Sequence, residues 1–250
     1  MSRITQRGAT GPLALVANGA FQTSEDASIA TLVGTRFDLS DGREVMLVSA
    51  GAVALVAGTL TQDSAVVPNH QNVAVTAYQA YSANGNVPAR VTVTLGATAA
   101  TANQYAGGFL VVNDNAGEGQ TLRIASNPAA ASSASLAVTL EEGATVAITA
   151  ASEVSLIAPH GKDVIISPTT ATGAVAGVTL YGVPASEYGF VVTKGITSCL
   201  AQGAIGVGLG IGASGTVAGA VAVGAATTAR LGYASAAGVD TEYRAVFINV

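Results

Sequence analysis

Short runs of alternating side chains, each closed by turn-forming residues, constrain this chain more than any other feature. Arg90-Val91-Thr92-Val93-Thr94-Leu95 is the clearest of them. Successive strand side chains point to opposite faces, so Val91, Val93 and Leu95 share one face and Thr92 and Thr94 the other, as in a half-buried antiparallel strand. Comparable runs occur at 44–48, 52–57, 72–77, 108–112, 120–125, 135–140, 145–149, 153–157, 163–167 and 177–180. Between them stand Asp41-Gly42, Asn84-Gly85, Asn113-Asp114-Asn115 and Glu142-Gly143, residues that tolerate the positive φ of tight turns. Many short strands at close spacing predict an all-β chain. The final run, 241–250, puts Tyr243, Ala245 and Phe247 opposite Glu242, Arg244, Val246 and Ile248. Apolar groups on both faces predict a strand inside a sheet, or one covered by a neighbour. Helical signals are limited to short turns near 98–105, 127–133 and 183–188.

Composition decides what such strands can bury. Aromatic residues make up 5% of the chain and there is no Trp, so the core must rest on Val, Leu and Ile. Each such side chain contributes roughly 1.5–3 kcal/mol when fully buried. Charged residues are only 10%, too few to solvate a large free surface, which implies that partner subunits cover much of it. The net charge of −5 and the scattered basic residues argue against a nucleic-acid partner, which requires a basic stripe. Cys199 stands alone, so no disulfide framework exists, and its neighbours Ile196 and Leu200 predict a buried, unreactive thiol.

The chain reads as three parts: an extended N-terminal arm over 1–43, a β-rich domain over 44–182, and a Gly/Ala/Val-rich β-domain over 183–250. The expected architecture is two packed β-sandwich or barrel-like domains behind the arm. The apolar run Leu13-Ala14-Leu15-Val16-Ala17 is too short for a secretory leader and is approached through Gly11-Pro12. From 195 to 229 no residue is charged, yet glycines recur at 203, 206, 208, 210, 212, 215, 219 and 224. Each weakens a helix by about 0.8–1 kcal/mol, so two or three Gly-punctuated strands are expected here and no membrane helix.

No catalytic template is complete. Gly210-Ile211-Gly212-Ala213-Ser214-Gly215 matches a dinucleotide-binding pattern, but the following Thr216-Val217-Ala218 is strand-like and the next acid is Asp240. His70 and His160 are the only histidines, and only His160 has a nearby co-ligand candidate, Asp163. Zinc or nucleophile chemistry needs several such groups to converge, so both are read as exposed loop residues. Asn113-Asp114-Asn115-Ala116-Gly117-Glu118 lacks the spaced ligands of a calcium loop and reads as a hairpin connection. Glu141 and Glu142 are adjacent, so in a strand their side chains would diverge. No enzyme activity, cofactor or metal is expected.

Two C-terminal blocks carry a resemblance. Tyr188-Gly189-Phe190-Val191-Val192-Thr193-Lys194-Gly195 leads to Ile196-Thr197-Ser198-Cys199 and Gly206-Val207-Gly208-Leu209-Gly210, and Ala229-Arg230-Leu231-Gly232-Tyr233-Ala234-Ser235 precedes the final strand. This pattern resembles small β-rich virion proteins of tailed bacteriophages, especially capsid decoration (cement) proteins. It covers about the last seventy residues best, and the middle stretches 91–98, 103–108 and 117–124 more loosely. The resemblance implies a protein that binds the outer surface of the head and stabilises the capsid against DNA pressure. The implied partners are the major capsid protein and further copies of the chain, as dimer or trimer, with no nucleic acid and no membrane. The implied location is the virion surface, after synthesis in the host cytoplasm. The arm is expected to order on contact, burying Leu13, Leu15, Val16 and Phe21. Alternatives are another virion component, such as a tail or fibre protein, or a carbohydrate-binding β-module.

Overall fold

The computed structural model describes residues 4–6, 16–17, 20–21, 23–83, 86–224 and 229–250. It is all-β, with two short 3-10 segments, Ala27–Leu32 and Pro68–His70, as its only helical elements among those residues. Asp26 caps the first of them, its carboxylate accepting from the Ser28 amide at 2.9 Å. The chain divides into two compact units: Met1–Ala65 together with His160–Val250, and Val66–Pro159 inserted between them in sequence.

This replaces the division expected at 182/183. The change in composition there falls inside one sheet: Val175–Thr179 and Tyr188–Leu200 are paired, with Val178 opposite Val192. The expected boundary at 43/44 is likewise a hairpin turn. Arg36–Leu39 pairs with Glu44–Ser49, Phe37 lying opposite Val45, so the chain has joined the sheet by residue 36. Ile4–Gln6 adds to the same sheet, Ile4 opposite Leu39. Of the arm residues expected to make contacts, Leu13 and Leu15 lie outside the described residues. Val16 and Phe21 are described only as backbone, facing each other in a two-stranded pair. The Asn84-Gly85 turn also lies outside them.

The inserted unit is a closed, wholly antiparallel barrel of six strands. Around it run Val73–Gln79, Arg90–Thr94, Ser135–Leu140, Thr121–Ser126, Phe109–Asp114 and Glu153–Ile157, which meets Val73–Gln79 again. Phe109–Asp114, Thr121–Ser126 and Ser135–Leu140 are consecutive, and Glu153–Ile157 returns beside the first, a Greek-key order. Closure leaves no sheet edge, and a barrel this narrow is filled by its own side chains. Val91, Val93, Leu110, Ile124, Leu136, Val138, Val154 and Leu156 do this, all at or below 1% exposure. The expected inward set Val91, Val93 and Leu95 is buried, with Thr92 and Thr94 outside. The runs at 52–57 and 145–149 form no strand.

The larger unit holds an eleven-stranded sheet. Its main path is Ile4–Gln6, Arg36–Leu39, Glu44–Ser49, Tyr188–Leu200, Tyr243–Asn249, Gly232–Ala234, Gly210–Ala213 and Val221–Val223. Leu60–Gln62, Ile165–Ile166 and Val175–Thr179 pair off this path. The charge-free stretch therefore forms strands, as expected, and the final strand is sheet-central. Among the described residues no helix is long and apolar enough to cross a membrane.

Tyr188–Leu200 contributes to both apolar clusters of the larger unit. Before a register shift between Val192 and Lys194, Phe190 and Val192 enter one cluster with Phe37, Leu47, Leu60 and Val178, while Val191 enters a second with Met46, Val48, Leu55 and Val164. Burial on both faces explains the continuous apolar run Val45-Met46-Leu47-Val48 within Glu44–Ser49. After the shift the first cluster is continued by Cys199, so the inward direction passes from even to odd residues. Ile196 and Ser198 consequently face away from that core.

Cys199 is fully buried, as expected, and burial pushes its thiol up to about 12. A thiol reagent is expected to leave the native chain unmodified and to label Cys199 only in denaturant. Rapid labelling without denaturant would contradict this packing.

Candidate functional site

The second cluster covers one face of the long strand as far as Val191. Beyond the register shift the same face carries Ile196, Phe247, Tyr233 and Tyr243, and the described residues leave it largely uncovered. Ile196 is 57% exposed, Tyr243 53% and Tyr233 45%. Phe247 lies opposite Ile196 on one side and Tyr233 on the other. The Tyr233 and Phe247 rings stack with centroids 5.0 Å apart and planes 6° from parallel, a cross-strand pair that stabilises the sheet at this point. Arg230 lies over Gly210, which pairs with Tyr233. A row of apolar and aromatic groups thus crosses three adjacent strands and ends at a cation.

An open groove of about 840 Å³ runs along the same part of the sheet. Val56, Gly58, Leu180, Ile196, Ser198 and Tyr243 line it, with Arg43 at its margin. The Tyr243 ring rests against Gly58, and Arg43 packs against Gly195. Arg43 is itself held by Asp41, through Nε at 2.9 Å and Nη2 at 2.7 Å, and this guanidinium keeps the Asp41 carboxyl below its ordinary value.

The titratable groups singled out from sequence are structural. His70, expected on the surface, is fully buried in the barrel unit. Its Nε2 lies 2.9 Å from the Thr98 carbonyl, which can only accept, so the proton sits on Nε2 and Nδ1 accepts from the Tyr105 hydroxyl. Burial pushes Tyr105 up to about 12, and its backbone N–H donates to Asn127 Oδ1 at 2.9 Å. Asn127 Nδ2 in turn donates to the Thr101 and Pro128 carbonyls. No local pattern signals this network, because its partners are distant along the chain. His70→Leu removes the donor to Thr98 and the acceptor for Tyr105, and an orphaned buried group costs about 1–3 kcal/mol. Thermal denaturation is expected to show that loss; an unchanged midpoint would show that the network adds no stability.

His160 is bonded to Asp63, not to Asp163: Nδ1 meets Asp63 Oδ2 at 2.7 Å, and the Gly161 amide donates to Asp63 Oδ1 at 2.9 Å. Asp163 sits in a left-handed turn, its own amide donating to Ser49 Oγ. Asp63 and His160 lie beside the two points where the chain leaves and re-enters the larger unit, so the pair ties those points together. Glu141 pairs with Arg123 at 3.0 Å on the barrel surface. The Asn113–Glu118 segment is a hairpin connection with Asn115 at φ 64°, as read from sequence. Gly210–Ala213 and Val221–Val223 form a hairpin, with no helix to receive a pyrophosphate.

Two buried ionic groups escaped the sequence reading. Glu44, 6% exposed, accepts from Arg36 Nη1 at 2.9 Å and from Thr193 Oγ1 at 3.1 Å. Arg244, 4% exposed, donates to the Val239 carbonyl at 2.5 Å and the Ile205 carbonyl at 3.3 Å, with its guanidinium against Gly238. It pins two loops by carbonyl contacts. Among the described residues no three His, Cys, Asp or Glu side chains converge as metal ligands would. The strongest candidate site is therefore the uncovered apolar face with its groove, a surface suited to contact. No protein-family model, curated protein or solved structure matches this chain.

Proposed function

We propose that this chain is a structural protein of a tailed-phage virion that binds the outside of the head and stabilises it, as decoration proteins do. The observation that supports this reading is the row Ile196–Phe247–Tyr233, flanked by Tyr243. It is an exposed apolar surface, with one stacked aromatic pair, on a chain with few charged groups. Such a surface loses contact with water favourably when a partner covers it, at about 25 cal/mol per Å² of apolar area. A protein working in this way needs no reacting side chains, only complementary area and a sheet stiff enough to present it.

The test is binding of the purified chain to expanded and unexpanded heads, with copies per head counted after sedimentation. Saturable binding to expanded heads is expected, with a regular copy number and greater resistance of the heads to heat. Tyr233→Asp combined with Ile196→Asp should reduce occupancy at least about tenfold while circular dichroism stays unchanged. Absence of binding to either head form would overturn the reading, as would binding to an oligosaccharide in place of heads.

A further inference from the structure

Tyr188–Leu200 is paired along both edges only at its start. Lys194 is the last residue with a strand partner on each side, Glu44 on one edge and Asn249 on the other. In an antiparallel strand, backbone groups address alternate edges residue by residue. Here the odd residues face the final strand: the Thr193 carbonyl accepts from the Val250 amide at 2.9 Å, and the Ala201 amide donates to the Glu242 carbonyl at 3.0 Å. Ile196, Ser198 and Leu200 therefore direct theirs to the opposite edge. Leu200 finds a partner there, its amide donating to the Gly58 carbonyl at 2.8 Å. Between Gly58 and Arg43, no described residue takes up the amide or carbonyl of Ile196 or the amide of Ser198. This unpaired stretch lines the 840 Å³ groove.

We propose that the groove admits an extended segment of another polypeptide, which adds a strand to the Ile196–Ser198 edge and sets a carboxylate beside Lys194. An unpaired strand edge is a template for a further strand, and main-chain bonds supply its affinity. Val56 and Ile196, 50% and 57% exposed, offer apolar contacts to alternate side chains of the segment. Charge sets its polarity. Arg43 is satisfied by Asp41, whereas Lys194, at the same end, has no carboxylate within ion-pair distance among the described residues. Pairing of this edge with itself across a two-fold axis would oppose two recessed edges, each flanked by its own Arg43 turn and Gly58 loop. The occupant is therefore a projecting segment of a different chain. This inference is independent of the virion reading, since the pairing chemistry is the same whatever particle the partner belongs to.

Amide hydrogen exchange on the full chain tests it, with acetyl-Asp-Val-Thr-Val-Thr-amide as probe and a peptide with Lys in place of Asp as its counterpart. Without peptide, the Ile196 and Ser198 amides are expected to exchange at least about tenfold faster than those of Thr197 and Cys199. The Asp peptide should slow both, and the Lys peptide should bind about fivefold more weakly. Ser198→Pro removes only the outward amide and should abolish the peptide effect while Thr197 and Cys199 remain protected. If that variant loses their protection, Lys194→Glu takes its place and should reverse the preference between the peptides. Four outcomes would overturn the proposal: Ile196 and Ser198 already protected in the free chain, protection that grows with the chain's own concentration, a peptide that slows neither amide, or equal binding of both peptides.

Discussion

Gly232→Ala is expected to cost at least about 4 kcal/mol, the range in which a single change is exceptional and diagnostic. Gly232 has φ 155°, and a Cβ built there would lie 1.8 Å from the Phe247 carbonyl oxygen. That oxygen belongs to the neighbouring strand, in which Ile248 pairs with Gly232, so it cannot retreat without breaking the ladder that also holds the Tyr233–Phe247 pair. Close approach and backbone conformation act together here. Gly42→Ala separates them, because Gly42 also has positive φ, 84°, but a Cβ added there would meet nothing within 4 Å. That change should cost only about 1 kcal/mol. Urea denaturation followed by circular dichroism gives both values, and equal losses would show that the close approach is relieved cheaply.

Phe190→Ala should be nearly as damaging, at about 3–5 kcal/mol, through lost burial and the cavity left behind. Phe190 is fully buried and meets Phe37 edge-to-face, with centroids 5.9 Å apart and planes at 87°. Aromatics are scarce in this chain, so the Val and Leu neighbours cannot easily fill the space. Phe190→Leu keeps most of the volume and should cost less than about 1.5 kcal/mol. Phe37→Ala and Phe190→Ala remove the same contact, and their combined loss should fall short of the sum of the two. Strict additivity would mean that the pair contributes nothing beyond its separate burial.

How far such features are legible from sequence depends on how local they are. Val91, Val93 and Leu95 fall correctly on one face because alternation is a property of neighbouring residues. The hairpin at 113–118 is legible for the same reason, since Asn and Gly tolerate the turn whatever surrounds it. Cys199 reads as buried from its apolar neighbours, and it is. His70 defeats that kind of reading because its burial depends on Tyr105 and Thr98, which reach it only when the barrel closes. Nearness in sequence matches His160 to Asp163, whereas Asp63 reaches it across the fold. The candidate site is legible only in part: the Tyr188–Gly195 block stands out, but nothing in it marks the shift after Val192 that turns Ile196 outward.

Sequence alone determined that this chain makes strands, where some of them turn, and which side chains of a regular strand share a face. Those outcomes follow from φ preferences and a two-residue period, which act over a few positions. Tertiary structure decided the rest: the closure of the strands between 73 and 157 into a barrel, the face of the larger sheet that stays uncovered, and the strand edge left without a partner. Each rests on pairings such as that of Glu44 with Thr193, 149 residues apart, and no local preference specifies which distant strand will arrive.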